Sequence, residues 1–144
     1  MQNPLALPVV AATAIATMVL PAATASAAPL APPSCSISVD YPHGSHTVPG
    51  ATNVHGVFSC NTKVTGMTIQ VKLWLRTGYQ QYQLVGDSGV QRNSGKNQIK
   101  SNAAWNQCHD GWVMHGEAFG VATQVPYQPV TAHTSGKDVD VVGC

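Results

Sequence analysis

From Met67 to Arg76 apolar and polar residues alternate without a break: Met67, Ile69, Val71, Leu73 and Leu75 interleave with Thr68, Gln70, Lys72, Trp74 and Arg76. A period of two predicts a half-buried β-strand and excludes an amphipathic helix, whose apolar residues recur every 3.6 positions. Thr77-Gly78 follows, then Tyr79 to Val85, so a two-residue turn at Thr77-Gly78 predicts a hairpin over 67–85. In that register Leu73 faces Tyr82 and Val71 faces Leu84. Cys35 to Tyr41 also alternates, with Cys35, Ile37, Val39 and Tyr41 on one face. In the segment Val54 to Cys60, Val54, Phe58 and Cys60 share a face. Further strands are expected near Trp112–Val121, with Gly116 marking a bulge, and over Lys137–Cys144. Gly86–Asn102 reads as a long polar loop with short strands near Val90 and Ile99. Gln124–Ser135, with Pro126 and Pro129, reads as a second loop. About six or seven antiparallel strands and no helical period predict an all-β chain. The expected fold is an immunoglobulin-like β-sandwich, with a small β-barrel as the alternative.

The cysteines narrow this further. Leu5 to Leu20 is apolar apart from Thr residues and Pro8, Pro21 interrupts it, and Ala25-Ser26-Ala27 offers a small-x-small site. That is the pattern of an export signal cleaved after Ala27, although Met1-Gln2-Asn3-Pro4 carries no Lys or Arg. A retained anchor is the competing reading, but a span needs about 20 apolar residues. Residues 28–34 are expected to form a flexible Pro/Ala-rich stub, and 35–144 a single domain. All four cysteines, Cys35, Cys60, Cys108 and Cys144, follow the signal. An even count in an exported domain reads as disulfides. Antiparallel neighbours bring the start of one strand beside the end of the next. This predicts Cys35–Cys60 and Cys108–Cys144 among the three pairings allowed.

Seven Lys/Arg and six Asp/Glu leave a formal charge of +1. This near-neutral balance provides no electrostatic drive toward nucleic acid or an anionic membrane. The Ala/Thr-rich leader, Cys35 after its Pro-rich stub, Asn102-Ala103-Ala104-Trp105 before Cys108, Gly111-Trp112 and the terminal Gly143-Cys144 together resemble small exported two-disulfide β proteins of high-GC Gram-positive bacteria. The resemblance implies an extracellular location and a β fold, and no particular activity.

Four constellations carry the functional reading. Gly86-Asp87-Ser88-Gly89 matches the segment around the nucleophile of trypsin-like serine proteases. The scaffold of that triad is far longer than this chain, and Asp-Ser-Gly is ordinary turn chemistry. Six histidines are many for the length, and His43, His46 and His55 lie close enough in sequence to suggest a zinc or copper site. His109-Asp110, ahead of Gly111, reads as a turn. Trp105 and Trp112 flank Cys108, and Trp112 is expected to pack in the core. The outer face of the central hairpin is the favoured contact surface: Gln70, Lys72, Trp74 and Arg76 from one strand, with Tyr79, Gln81 and Gln83 from the other. An aromatic flanked by cations and amides suits a protein partner or a cell-wall glycan. The chain has one glutamate, Glu117, no spare cysteine and no motif calling for a cofactor. The expectation is a secreted, non-catalytic binding module. An inhibitor of an exogenous hydrolase, presenting the 86–102 loop, and a His-dependent metal-binding protein are the alternatives.

Overall fold

A computed structural model describes residues 31–144. The expected signal, residues 1–27, and the stub up to residue 30 lie outside the described residues. Pro33 is buried, and Ser34 exchanges hydrogen bonds with Asn61 through its N–H (3.0 Å) and its carbonyl (2.9 Å). Pro33 and Ser34 are thus held against the folded domain.

The described residues form ten strands: β1 (Cys35–Val39), β2 (His43–Gly44), β3 (Thr52–Val64), β4 (Gly66–Gly78), β5 (Gln81–Asp87), β6 (Gln91–Asn93), β7 (Lys96–Trp105), β8 (Val113–Thr123), β9 (Val130–Ser135) and β10 (Val139–Asp140). They make two antiparallel sheets. In the first, β3 lies between β7 on one side and β1 and β2 on the other. In the second, β4 and β8 are central, with β5 and β6 beyond β4 and with β9 and β10 beyond β8. The expected all-β, two-sheet sandwich is therefore observed, and it is not a closed barrel.

The core lies between the sheets. Val54 and Phe58 of β3 and Met67, Ile69, Val71 and Leu73 of β4 are essentially inaccessible, as are Met114, Ala118 and Ala122 of β8. The alternation of β4 thus does what period two requires, turning its apolar set onto the opposite sheet. Close approach of the sheets depends on small residues in β8. A Cβ on Gly120 would lie 2.7 Å from the Phe58 ring, and one on Gly116 would collide with Val54 and come within 2.7 Å of Val39. Gly116 pairs with Leu73 in an unbroken register. The expected bulge is absent, and the residue is small because side chains from the other sheet occupy the space. The buried Thr52 donates its hydroxyl hydrogen to the Gln107 carbonyl at 2.8 Å, which ties the start of β3 to the segment before Cys108.

Both expected disulfides are formed, Cys35–Cys60 and Cys108–Cys144. Cys35 and Cys60 are register partners in the β1–β3 ladder, as antiparallel neighbours demand.

Several sequence expectations are corrected. Residues 86–102 are not a long loop: β6 pairs with β4, and β7 lines up along most of β3. Within β7 only Ile99 and Ala103 are buried, so this flanking strand has too few apolar positions to show a period. Val130–Ser135 is likewise a strand, paired with β8. The 124–135 loop therefore shrinks to 124–129, the stretch that holds both prolines. Over Lys137–Cys144 only Val139 and Asp140 are strand. Beyond them the chain leaves the second sheet: Val141 N–H donates to the Trp112 carbonyl at 2.8 Å, and the Val142 carbonyl accepts from Gly44 of β2 at 3.1 Å.

The hairpin is also re-registered. Its turn is Tyr79-Gln80, with Gln80 at φ 54°, and Gly78 remains paired, opposite Gln81. The register shifts between Arg76 and Gly78, so that Arg76 faces Tyr82 and Trp74 faces Leu84, and again between Leu73 and Trp74, so that Leu73 faces Gly86. Thr77-Gly78 carries a turn-like sequence, but the chain turns two residues later with a non-glycine residue in the left-handed region.

Candidate functional site

The outer face of the second sheet carries the densest side-chain network. Every residue opposite the buried set of β4 and β8 points there, so register decides the neighbours: Trp74 lies beside His115, Lys72 beside Glu117 and Gln70 beside Phe119. On β9, His133 lies beside Phe119. Arg76 and Tyr82 are register partners on the β4–β5 side.

Two carboxylates organise the face. Glu117, with 19% of its side chain exposed, accepts the Trp74 indole hydrogen at 3.0 Å on one oxygen. Its other oxygen lies 2.9 Å from His133 Nε2. Asp138, in the short segment that joins β9 to β10 along β8, accepts the Tyr82 hydroxyl hydrogen at 2.8 Å and lies 2.9 Å from His115 Nδ1. Arg76 stands 3.7 Å from the same carboxylate. The rings are in mutual contact. Tyr82 meets His115 edge-on, with centroids 4.8 Å apart. His115 is roughly parallel to Trp74 at 6.4 Å, and Phe119 stacks on His133 at 4.5 Å. Lys72 Nζ stands 5.2 Å from the centre of the Phe119 ring. Trp74, Tyr82, His115 and Glu117 line a shallow, open depression of about 190 Å³.

Asp138 is pulled in two directions. Its partial burial raises the carboxyl, while hydrogen bonds from Tyr82 and His115 and the charges of His115 and Arg76 lower it, and the net result lies below the ordinary carboxylate range. Tyr82 is raised, chiefly by its hydrogen bond to Asp138. A lowered carboxyl contributes stability above its unfolded pKa of about 3.9 and loses it as pH falls through the lower folded value. A raised phenol contributes below its unfolded pKa and loses that contribution as pH rises through the folded one. We expect urea midpoints measured from about pH 5 to pH 2 to fall more steeply for the wild type than for Asp138→Asn. Parallel pH profiles would show that the carboxylate takes no part in acid stability.

Of the surface expected from sequence, Gln70, Lys72, Trp74 and Arg76 lie on this face. Trp74 is half-buried and not freely exposed. Gln70 is turned toward Asp87, donating to its carboxylate at 2.9 Å and 3.0 Å. Tyr79 stands at the hairpin tip, 82% exposed. Gln83 does not belong to the face, and Gln81 is paired with Gly78 beside the turn. Gln83 is opposite Leu75, and the outward positions of β5 are Tyr82 and Leu84. A one-residue shift in register moves every side chain of a strand to the other face. Sequence reasoning therefore chose the wrong half of β5, and it omitted Tyr82, His115, Glu117, Phe119, His133 and Asp138. The signal for three of these was present in β8, where Gly116, Ala118 and Gly120 alternate with His115, Glu117 and Phe119.

The other constellations are resolved as follows. Ser88 is built into a turn: its Oγ accepts from Val71 N–H at 2.9 Å and donates to the Gly89 carbonyl at 2.8 Å. Asp87 accepts from Gly89 N–H at 2.8 Å. His109 to Trp112 also form a turn, closed by a bond from Trp112 N–H to the His109 carbonyl at 3.3 Å, with Gly111 at φ 84°. Trp105 and Trp112 stack at 4.9 Å and pack, partly buried, against the core. His43 and His55 are stacked at 5.4 Å, with His46 6.2 Å from His43. Asp40 completes that group, and sequence reasoning had left it out.

Compared with known proteins, the chain matches no family model and no curated sequence.

Proposed function

We propose that this protein is an exported, non-catalytic binding module that takes a polyhydroxylated ligand, a sugar ring of a cell-wall glycan, on the outer face of its second sheet. One observation carries this reading. Around an indole, two carboxylates each bind two neighbouring side chains and so hold a polar and aromatic surface in a single arrangement. A pre-ordered surface loses little side-chain entropy when a ligand binds. An aromatic flank beside ionised acceptors offers a sugar both an apolar face and hydrogen-bond partners. The shallow, open shape suits a chain lying across the sheet more than a buried small molecule.

Export is supported by the leader pattern and by the two formed disulfides, which persist in oxidising compartments. Among the described residues no helix is long and apolar enough to cross a membrane. The inhibitor reading loses its main support, because residues 86–102 are largely strand.

The test is retention of the purified protein on insoluble cell-wall polysaccharide. Trp74→Ala should weaken retention at least tenfold, in line with the loss of an aromatic anchor. Trp74→Phe keeps an aromatic ring, though a smaller one, but removes the donor to Glu117, and should retain part of the binding. Both variants need a denaturation curve, since Trp74 is half-buried and loss of its hydrogen bond alone costs about 1 kcal/mol. Wild-type protein that washes through the polysaccharide but captures a protein from culture fluid through the same face would replace the glycan with a protein partner.

A further inference from the structure

A second, independent group lies on the other sheet. β1 ends at Val39, and Asp40 extends its ladder by one bond, donating its N–H to the His55 carbonyl at 2.9 Å. The Asp40 carboxylate folds back onto His55, accepting from its backbone N–H and approaching its Nδ1 at 2.9 Å. His43 belongs to β2, which pairs with the start of β3, and its ring stacks on that of His55 at 5.4 Å with 25° between the planes. Three separate segments thus bring two imidazoles and a carboxylate together. One donor atom from each lies within 4.8 Å of the other two.

The hydrogen bonds determine which nitrogens are free. His43 Nδ1 is 2.9 Å from the Tyr41 carbonyl. A carbonyl oxygen only accepts, so the ring hydrogen sits on Nδ1, and in the neutral ring the lone pair is on Nε2. A carboxylate also only accepts, so without an ion His55 Nδ1 carries its hydrogen toward Asp40; an ion ligated by both groups takes the place of that proton, which is released on binding. His43 is oriented as metal-binding histidines are, with Nδ1 donating to a carbonyl and Nε2 left to face the ion.

We propose that Asp40, His43 and His55 form a binding site for a divalent late transition-metal ion, Zn²⁺ or Cu²⁺, with His46 in reach as a further ligand. Imidazole with one carboxylate is a donor set for these ions and not for Mg²⁺ or Ca²⁺, which take oxygen ligands. Tetrahedral zinc with bonds of about 2.0–2.1 Å needs its ligand atoms roughly 3.4 Å apart. The observed spread of up to 4.8 Å closes by side-chain rotation, and nearly half of the Asp40 and His55 side-chain surface is exposed and free to adjust. His46 lies beyond β2 in an exposed segment, with its ring 6.2 Å from that of His43.

The experiment is calorimetric titration of the untagged, disulfide-intact protein with ZnCl₂ and, separately, with CuCl₂, alongside thermal unfolding. Binding at one ion per chain with a raised Tm is expected for at least one of the two metals, because an ion held only by the folded state stabilises it. His43→Ala, His55→Ala and Asp40→Asn should each weaken binding at least tenfold, and His109→Ala should leave it unchanged. Ring-proton NMR shifts on adding Zn²⁺ should be confined to His43, His55 and His46, which provides a readout in the wild type should a variant fail to fold. No stoichiometric binding of either ion would overturn the proposal. So would binding that survives His43→Ala, or shifts that fall on His115 and His133 instead.

Discussion

Phe58→Ala will destabilise the folded state by about 3–5 kcal/mol, read as the shift in urea midpoint at unchanged slope. Phe58 is fully buried. It sits in the first sheet, and its ring lies against the backbone of Gly120 in the second, where even one added carbon would come 2.7–2.9 Å from three ring atoms. Removing the ring opens a void between two sheets that strand pairing on both sides prevents from closing up. The reciprocal change has the same origin. Gly120→Ala forces a methyl group into the space of the ring and should cost about 1–3 kcal/mol as overpacking. In a Phe58→Leu background, the smaller side chain makes room for that methyl. The double variant should then be less destabilised than the sum of the singles, by more than the few tenths of a kcal/mol seen for independent sites. Simple additivity would mean that the two residues are not in contact.

Removing the Cys108–Cys144 bridge, as Cys108→Ser with Cys144→Ser, is the second large effect. The bridge closes a separation of 36 residues, worth about 4 kcal/mol in the chain-entropy model. More is anchored here than the loop length implies. The C-terminal segment is held by bonds between Val141 and both Gly111 and Trp112, by Gly44 donating to Val142, and by Asp110 accepting from Cys144 N–H at 3.0 Å. Val141 itself is fully buried. Without the bridge this segment should open before the rest of the molecule. Amide exchange at Gly44 and Val141 should therefore rise well above that of the β4–β8 ladder. A cost under about 1 kcal/mol, against the 2–5 kcal/mol typical for loss of a native bridge, would show that these bonds hold the segment without the cystine.

The candidate surface and the candidate metal group sit on different sheets and share no residue. Trp74→Ala should not change metal binding, and His43→Ala should not change retention on polysaccharide.

Much of this was legible in the residues themselves. The period of β4 specified a strand and its buried face, because alternation is a local property of the backbone. The cystine pairing followed from the ends of neighbouring strands. Legibility failed where the local signal is weak. β7 buries two apolar side chains across its length, and its strand character comes from pairing with β3, a partner remote in sequence. The turn of the central hairpin moved from Thr77-Gly78 to Tyr79-Gln80, and a shift between Arg76 and Gly78 reversed the faces of Tyr82 to Leu84. Turn preference is worth about a kilocalorie, too little to set a register that long-range pairing also determines.

The same division holds for the two candidate sites. Sequence alone determined that Trp74 faces outward and that His43 and His55 are near in the chain. Only the tertiary structure brought Glu117 under the indole, Asp138 between Tyr82 and His115, and Asp40 onto His55. Those contacts join residues 15 to 56 positions apart. Strand pairing across two sheets decides which side chains become neighbours at such separations, and no local pattern records it.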